Sequence, residues 1–433
     1  MAPLPAPTPP DDAPGGAGPH RGSTGPDGSA AAPSRIAVRG TVVTEGLQLT
    51  DAVVVMEGDR IDYVGPWDVF ARDADAGTYT VEELPEAALV LPGLVDLHCH
   101  GGYGVDFTAS SREEIEAALP RLYATGTTTL LASIMSAPAE RMVSACERLG
   151  ELAGEGVIAG IHAEGPFLAG ARCGAQPVEH LLGYDADLVD TLAGAAAGQL
   201  RTMTYAPELE GSDALVEQLV THGVVPSMGH TDADVDTAAA SLALAAEELE
   251  SAGFDGYAEV PTVTHCFNGM PPWHHRAPGA AGAALDAAAE EEAVLEVIGD
   301  GHHLSPQTVR MLFNLLPEPA LMLVSDGTSA VGLSDGTHRL GDQEITVSDG
   351  VGRTADGRLA GGAATLLDGL RSVVAAGIPI QRAVPAATSI PASLIGLADE
   401  VGQLHAGFSA DVLVVTRDLE PLAVYRAGLR VEP

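Results

Sequence analysis

Lysine is absent from this chain of 433 residues, and all 21 basic side chains are arginine. That absence excludes Schiff-base, P-loop and pyridoxal-phosphate chemistry, each of which needs a lysine side chain. It also excludes a carboxylated lysine between two metal ions, so any bridging ligand must be Asp or Glu. Positive charge is scarce altogether: 60 Asp and Glu against 21 basic residues give a net charge of −39. Such a field opposes nucleic acid and anionic membranes, both of which are bound by basic patches. No apolar run approaches the ~18–20 residues of a membrane span, and no secretory signal is expected at the N-terminus. The four cysteines, Cys99, Cys146, Cys173 and Cys266, are scattered and suggest no disulfide framework. A reducing, cytoplasmic setting is the expectation. No G-x-G-x-x-G follows the first barrel-type strand run, which argues against a doubly wound dinucleotide fold.

What is present begins with residues 1–33, rich in Pro, Gly, Ala and Ser and without apolar periodicity. They read as a disordered leader. Residues 34–91 hold short β-like runs, with a hairpin turn at Glu57-Gly58-Asp59. From residue 92 to 398, apolar β runs alternate with helical segments. Eight runs are predicted, at 94–100, 127–134, 157–164, 200–206, 224–230, 262–267, 294–300 and 321–326. Helices are predicted at 112–125, 138–153, 213–222, 231–251 and 363–376, with another starting at Ser305-Pro306. This is the arithmetic of an α/β fold of the (β/α)8 barrel type. A β-hairpin insertion is predicted near 333–360. Residues 399–433 return to β texture and are expected to complete one small β-sandwich domain with residues 34–91.

In such a barrel, reactive side chains stand at the C-terminal ends of the strands. The first run ends in His98-Cys99-His100, whose two imidazoles share a face because side chains alternate along a strand. Later runs end at Glu164, His230, His265, Asp300 and Asp326. Six ends converging on one mouth predict a divalent metal site of N and O ligands, suited to zinc. Glu164, His230 and His265 make a three-ligand site with room for water. His98 and His100 can hold a second ion, with Glu164 as the bridge. Asp326 is placed as a general base, with a ligand-only role or a helix cap as the alternatives. His162 reads as a core residue or a support of the ligands, and Asp300 as a cap of the next loop. Cys99 and Cys266 turn towards the core. Cys173, in the loop after Glu164, faces either the pocket or solvent.

The segments LPGLVDLHCHGG, HAEGPF, SMGHTDA, THCFNGM, GDGHHLSP and LVSDGTSAVG, in this order, resemble the N-acetylglucosamine-6-phosphate deacetylase family of the amidohydrolase superfamily. The likeness runs from about residue 35 to the end. It implies a (β/α)8 barrel with a small β-sandwich from both termini. It also implies removal of acetate from N-acetylglucosamine 6-phosphate, using one or two divalent ions: zinc first, then iron, manganese, cobalt or nickel. Glu164, His230 and His265 match the principal metal ligands, His98 and His100 the second-metal ligands, and Asp326 the catalytic aspartate. Asn268, the Gly269 amide, Arg276 and His303 match phosphosugar-binding positions, with Arg276 implied to reach across a homodimer interface. Two positions depart from the family pattern. Gly269 stands where Ala is common. Gln176 stands where a sugar-contacting His is expected, and it can donate a hydrogen bond but no positive charge. Another N-acyl sugar phosphate, a cyclic ureide or a dipeptide is the alternative substrate class, and a non-catalytic scaffold the remaining reading.

Overall fold

The computed structural model describes residues 34–432, apart from residues 45, 86, 254–258 and 342. The leader expected to be disordered, residues 1–33, lies outside the described residues. Eight parallel strands follow one another in chain order round a barrel. They are Leu94–Cys99, Thr127–Met135, Gly160–Glu164, Leu200–Tyr205, Val225–Met228, Thr262–Val263, Val294–Ile298 and Leu321–Val324. The first and eighth meet at the mouth. There the Asp326 amide donates to the His98 carbonyl (2.9 Å) and the His100 amide to the Gly327 carbonyl (2.7 Å). Buried Asp96 stitches the same seam, accepting from the Ser325 amide at 3.2 Å. Two residues expected to ligate metal therefore sit where the barrel closes.

Several strands stop short of the apolar runs that predict them. The sixth run, expected over 262–267, forms only Thr262–Val263, because the chain turns to positive φ at His265 (29°) and Phe267 (77°). The fifth ends at Met228, two residues before His230 at φ 47°. The site residues thus lie just beyond the ladders, where the backbone is free to re-aim them.

The outer helices follow their caps. Ser111 and Glu114 form a capping box on Arg112–Tyr123, and Ser305 caps Pro306–Leu315 with Pro306 in the first turn. Gly279–Ala289, which the sequence does not announce, buries five alanines instead of a stripe of bulky residues. Small side chains let a helix approach its neighbours closely but carry almost no periodic signal.

Strands from both ends of the chain enter a separate eight-stranded sheet. Val412–Val415 runs antiparallel to Leu89–Pro92, which in turn pairs with Arg35–Thr44. Val38, Val54, Met56, Val90, Val414 and Tyr425 pack together within it. The insertion after the eighth barrel strand is larger than one hairpin. Gly336–Leu340, Gln343–Ser348, Val351–Thr354 and Leu359–Gly362 form a four-stranded antiparallel sheet. Short strands divided by Gly-Asp turns give one hairpin signal each, so the second hairpin is hard to read from sequence.

Arg426 of the terminal sheet clamps the barrel underside. It donates to the carbonyls of Thr128 (2.8 Å) and Val157 (2.9 Å) and lies 4.2 Å over the Tyr123 ring. Arg426→Ala is expected to cost about 2–3 kcal/mol through the lost charge-assisted hydrogen bonds. Thermal unfolding should fall by several degrees, with metal content unchanged because the clamp is far from the mouth.

Candidate metal centre

Glu164 ends the third barrel strand and is buried at 3 % exposure. Its Oε1 lies 2.9 Å from His230 Nε2 and 3.0 Å from His265 Nε2, and those two nitrogens are 3.1 Å apart. Its Oε2 is 3.2 Å from His100 Nε2. His98 Nε2 stands 3.1 Å from His100 Nε2, and both stand 3.4 Å from Asp326 Oδ1. Two donor sets result, Glu164-His230-His265 and His98-His100-Asp326. Donors that share one ion at ~2.0–2.2 Å stand about 3–3.5 Å apart, which is the spacing found here.

The tautomers point the same way. His230 Nδ1 lies 2.7 Å from the Arg172 carbonyl, an acceptor with no proton, so Nδ1 carries the hydrogen. Its Nε2 lone pair then faces the Glu164 carboxylate, an arrangement that needs a cation between them. His98 Nδ1 bonds Glu296 at 2.9 Å and turns its Nε2 inward in the same way. The carboxylates surrounding these rings demand positive charge. Burial lowers the affinity of His98 and His100 for protons. Asp326, with Glu296 and Glu164, nonetheless pushes His98 up to about 9, and Asp326 and Glu164 push His100 up to about 10. Against burial, which raises it, Glu164 is held well below the usual carboxylate range by His230 and its neighbours. Asp326, also against burial, is lowered to about 2 by His98 and His100. A divalent ion supplies the charge that protons otherwise provide, so the donor set fits one.

The backbone bends to build this. His230 (φ 47°), His265 (φ 29°) and Asp326 (φ 47°) all occupy the positive-φ region that side chains seldom adopt. Strain of this kind costs of order 1–3 kcal/mol per residue and gathers at functional sites. The His230 ring lies between two glycines. A Cβ on Gly269 would stand 2.8 Å from its Nδ1, and one on Gly174 3.1 Å from its Cε1.

Beneath the donors runs a belt of hydroxyls. His162 bonds Ser133 (2.9 Å) and Thr204 (2.8 Å), and Thr204 continues to Thr264 and Ser227. Burial and the adjacent His98 hold His162 well below its usual value, so it stays neutral as a supporting residue. Glu296 is the residue that motif reading misses. Buried in the seventh strand, its Oε2 accepts from His98 and from the His265 amide at 3.0 Å. The available signal is one carboxylate inside the apolar run Val294–Ile298.

A cavity of about 340 Å³ opens over the donors, walled by Gln176, Asn268, Gly269, His303 and Arg358 among others. His303 is fixed by Asp300 at 2.7 Å, and Asp300 Oδ1 also accepts from the amides of His302 and His303. Asn268 donates its side-chain amide to the His265 carbonyl. Gln176 is buried with its amide engaged: Oε1 accepts from the Ser136 amide and Nε2 donates to Glu164. Two expected substrate residues stand off the cavity wall. Cys173 is buried behind it, with Arg358 at 3.0 Å, and Arg276 is exposed, with its guanidinium on His275. Cys99 and Cys266 are both buried in the core, although Cys266 lies beyond the sixth strand, so strand alternation accounts for Cys99 alone.

The amidohydrolase family model matches residues 89–431. The N-acetylglucosamine-6-phosphate deacetylase of Bacillus subtilis (strain 168) is 32% identical over 402 residues, covering 89% of this chain and 97% of that protein. The N-acetylgalactosamine-6-phosphate deacetylase of Escherichia coli O157:H7 is 28% identical, covering 82% of this chain and 93% of that one. Among solved structures, a variant of the N-acetyl-D-glucosamine-6-phosphate deacetylase of Mycobacterium smegmatis, in complex with N-acetyl-D-glucosamine-6-phosphate, superposes with a TM-score of 0.81. It is 34% identical and covers 92% of this chain and 99% of its own.

Glu296→Gln keeps the shape but removes the charge that orients His98. Partners of this kind are worth about 10–100-fold in metal affinity. Titration of metal-stripped protein with zinc against a competing chelator should show a loss of about tenfold, with the fold retained.

Proposed function

Starting from the amidohydrolase family, to which this chain belongs in the branch of the N-acetylglucosamine-6-phosphate deacetylases, we propose the following reaction. The enzyme hydrolyses the acetamide of N-acetylglucosamine 6-phosphate to acetate and glucosamine 6-phosphate, within amino-sugar catabolism. The observation that carries this reading is the convergence of Glu164, His230, His265, His98, His100 and Asp326 on one cavity floor. The two donor sets, with Glu164 of one standing 3.2 Å from His100 of the other, support one or two divalent ions, and imidazole with carboxylate suits zinc best. A bound ion of this kind polarises the acetyl carbonyl and lowers the pKa of water.

The chain's own residues do the rest. Asp326 is ionised across the physiological range and stands at the floor of the cavity, so it can take the proton of the attacking water. Once protonated, it returns that proton to the departing amine nitrogen. Phosphate recognition must be local, because the net charge of −39 repels an anion at long range. His303 supplies part of it. Burial lowers its pKa, but the hydrogen bond and charge of Asp300 raise it above the ordinary imidazole value. Asn268 and the Gly269 amide flank the same end of the cavity. Arg276 is assigned to the phosphate of a partner subunit's site in a homodimer. Its exposed loop, with Trp273 at 54 % exposure, supports that assignment. A cytoplasmic location is in keeping with four free cysteines.

Acetate release from N-acetylglucosamine 6-phosphate by metal-loaded protein tests the reading, and the unphosphorylated sugar should be a far poorer substrate. Asp326→Asn should lower kcat by about 10²–10⁴-fold, with the phosphosugar still bound. Absence of release from the phosphosugar by metal-loaded wild type would overturn the assignment. The His303 imidazolium is present below its raised pKa and is lost as pH rises through it. KM for the phosphosugar should therefore climb on the alkaline side, and His303→Gln should abolish that climb.

A further inference from the structure

The cavity wall opposite the phosphate-binding end carries a cation that the sequence motifs do not mark. Gln176 stands where a sugar-contacting His is expected, yet its amide is turned to Glu164 and the Ser136 amide. Among the described residues lining the cavity, Arg358 is the one arginine. It comes from the four-stranded insertion, between Val351–Thr354 and Leu359–Gly362. The insertion is fastened over this side of the mouth. Gln343 donates to the Ala175 carbonyl (3.0 Å), and the Gly341 amide donates to Asp106 (2.6 Å). Asp356 holds the Arg358 Nε at 2.8 Å, so the fork extends towards the loop after the third strand, where one terminal nitrogen meets the Cys173 thiol. A thiol is a weak acceptor, and exchanging it for an oxygen costs little.

The order of the eight strands sets the third strand across the barrel from the seventh. Arg358, beside Cys173 of the loop after the third strand, and Gln176 of that loop therefore stand across the cavity from His303, in the loop after the seventh. A substrate with its acetamide on the metal floor and its phosphate towards His303 turns the remaining ring edge to Arg358. In a 2-acetamido sugar phosphorylated at C6, the one vicinal pair of free hydroxyls is O3 and O4. A planar guanidinium fork matches two adjacent oxygens. We propose that Arg358 binds this diol and selects the configuration of the sugar, supplying from the insertion the contact that Gln176 cannot. This inference rests on the deacetylase reading above.

The experiment compares acetate release from N-acetylglucosamine 6-phosphate and its C4 epimer, N-acetylgalactosamine 6-phosphate, by full-length metal-loaded wild type and Arg358→Ala. Loss of a charge-assisted hydrogen bond should raise KM for the gluco substrate about tenfold. The account expects kcat to hold and the gluco-to-galacto ratio of kcat/KM to move towards one. Arg358→Lys, which keeps the charge without the fork, should recover part of the affinity but not the ratio. An unchanged KM and epimer ratio in Arg358→Ala would overturn the inference while the deacetylase reading stood. A joint fall of kcat and metal content, with the ratio preserved, would also overturn it, because that marks a structural brace. Wild type that releases acetate from neither sugar would fail the deacetylase reading itself.

Discussion

Four imidazoles and one amide press on a single buried carboxylate, that of Glu164. His230, His265 and His100 stand within 3.2 Å of it, His98 stands at 3.7 Å, and Gln176 donates to it from the side. A charge so deep in apolar surroundings is stable only when countered. Much of the mouth is arranged to meet that demand. The loop after the third strand bends back so that the Arg172 carbonyl fixes His230. The fifth and sixth strands break early so that His230 and His265 can reach inward. The barrel seam delivers His98, His100 and Asp326 to the same point. The carboxylate is a member of one donor set and stands 3.2 Å from His100 of the other, a position from which an acid can bridge in a lysine-free chain.

The same demand explains how the site is partitioned. Glu164 and Asp326 stand among the clustered donors themselves, whereas Glu296 works one layer out by holding His98 and the His265 amide. Below them, His162 and the hydroxyl belt offer hydrogen bonds without charge, so the floor is polar yet adds nothing to the local balance. Above them, a protein of net charge −39 admits an anion through discrete contacts. The Asp300–His303 pair stands at the cavity wall, where the Asp300 carboxylate raises the proton affinity of His303 against the effect of burial. Screening over about 8–10 Å at ordinary salt separates these contacts from the acidic surface.

Much of this was legible from residues alone. Eight apolar runs, six of them ending in His, Glu or Asp, place the barrel, and H-x-H together with Glu164, His230, His265 and Asp326 places the donors. The parts that were not legible have physical reasons. Positive φ at His230, His265 and Asp326 arises from packing at the strand ends, and nothing in the local sequence requires it. Glu296 looks like an ordinary interruption of an apolar strand until its two partners, far apart in sequence, are brought to it. The amide of Gln176 could have faced a ligand or a ligand-holder, and only the positions of Glu164 and Ser136 decide between them. Arg358 lies in the turn between two short strands of the insertion, Val351–Thr354 and Leu359–Gly362, where no periodicity exists to aim it. Arg276 and Cys173 show the converse: both sit in loops near the mouth, and neither side chain forms part of the cavity wall in this chain.

The central claim is that Glu164 unites two donor sets into one metal centre. The most direct test is the metal content of the purified protein after zinc loading, wild type against Glu164→Gln, by elemental analysis with circular dichroism to confirm folding. The account predicts that wild type retains zinc through gel filtration and that the folded variant loses most of it, because a neutral amide cannot balance the ion at the shared position. A folded Glu164→Gln protein that keeps the same zinc content with the same affinity would contradict it.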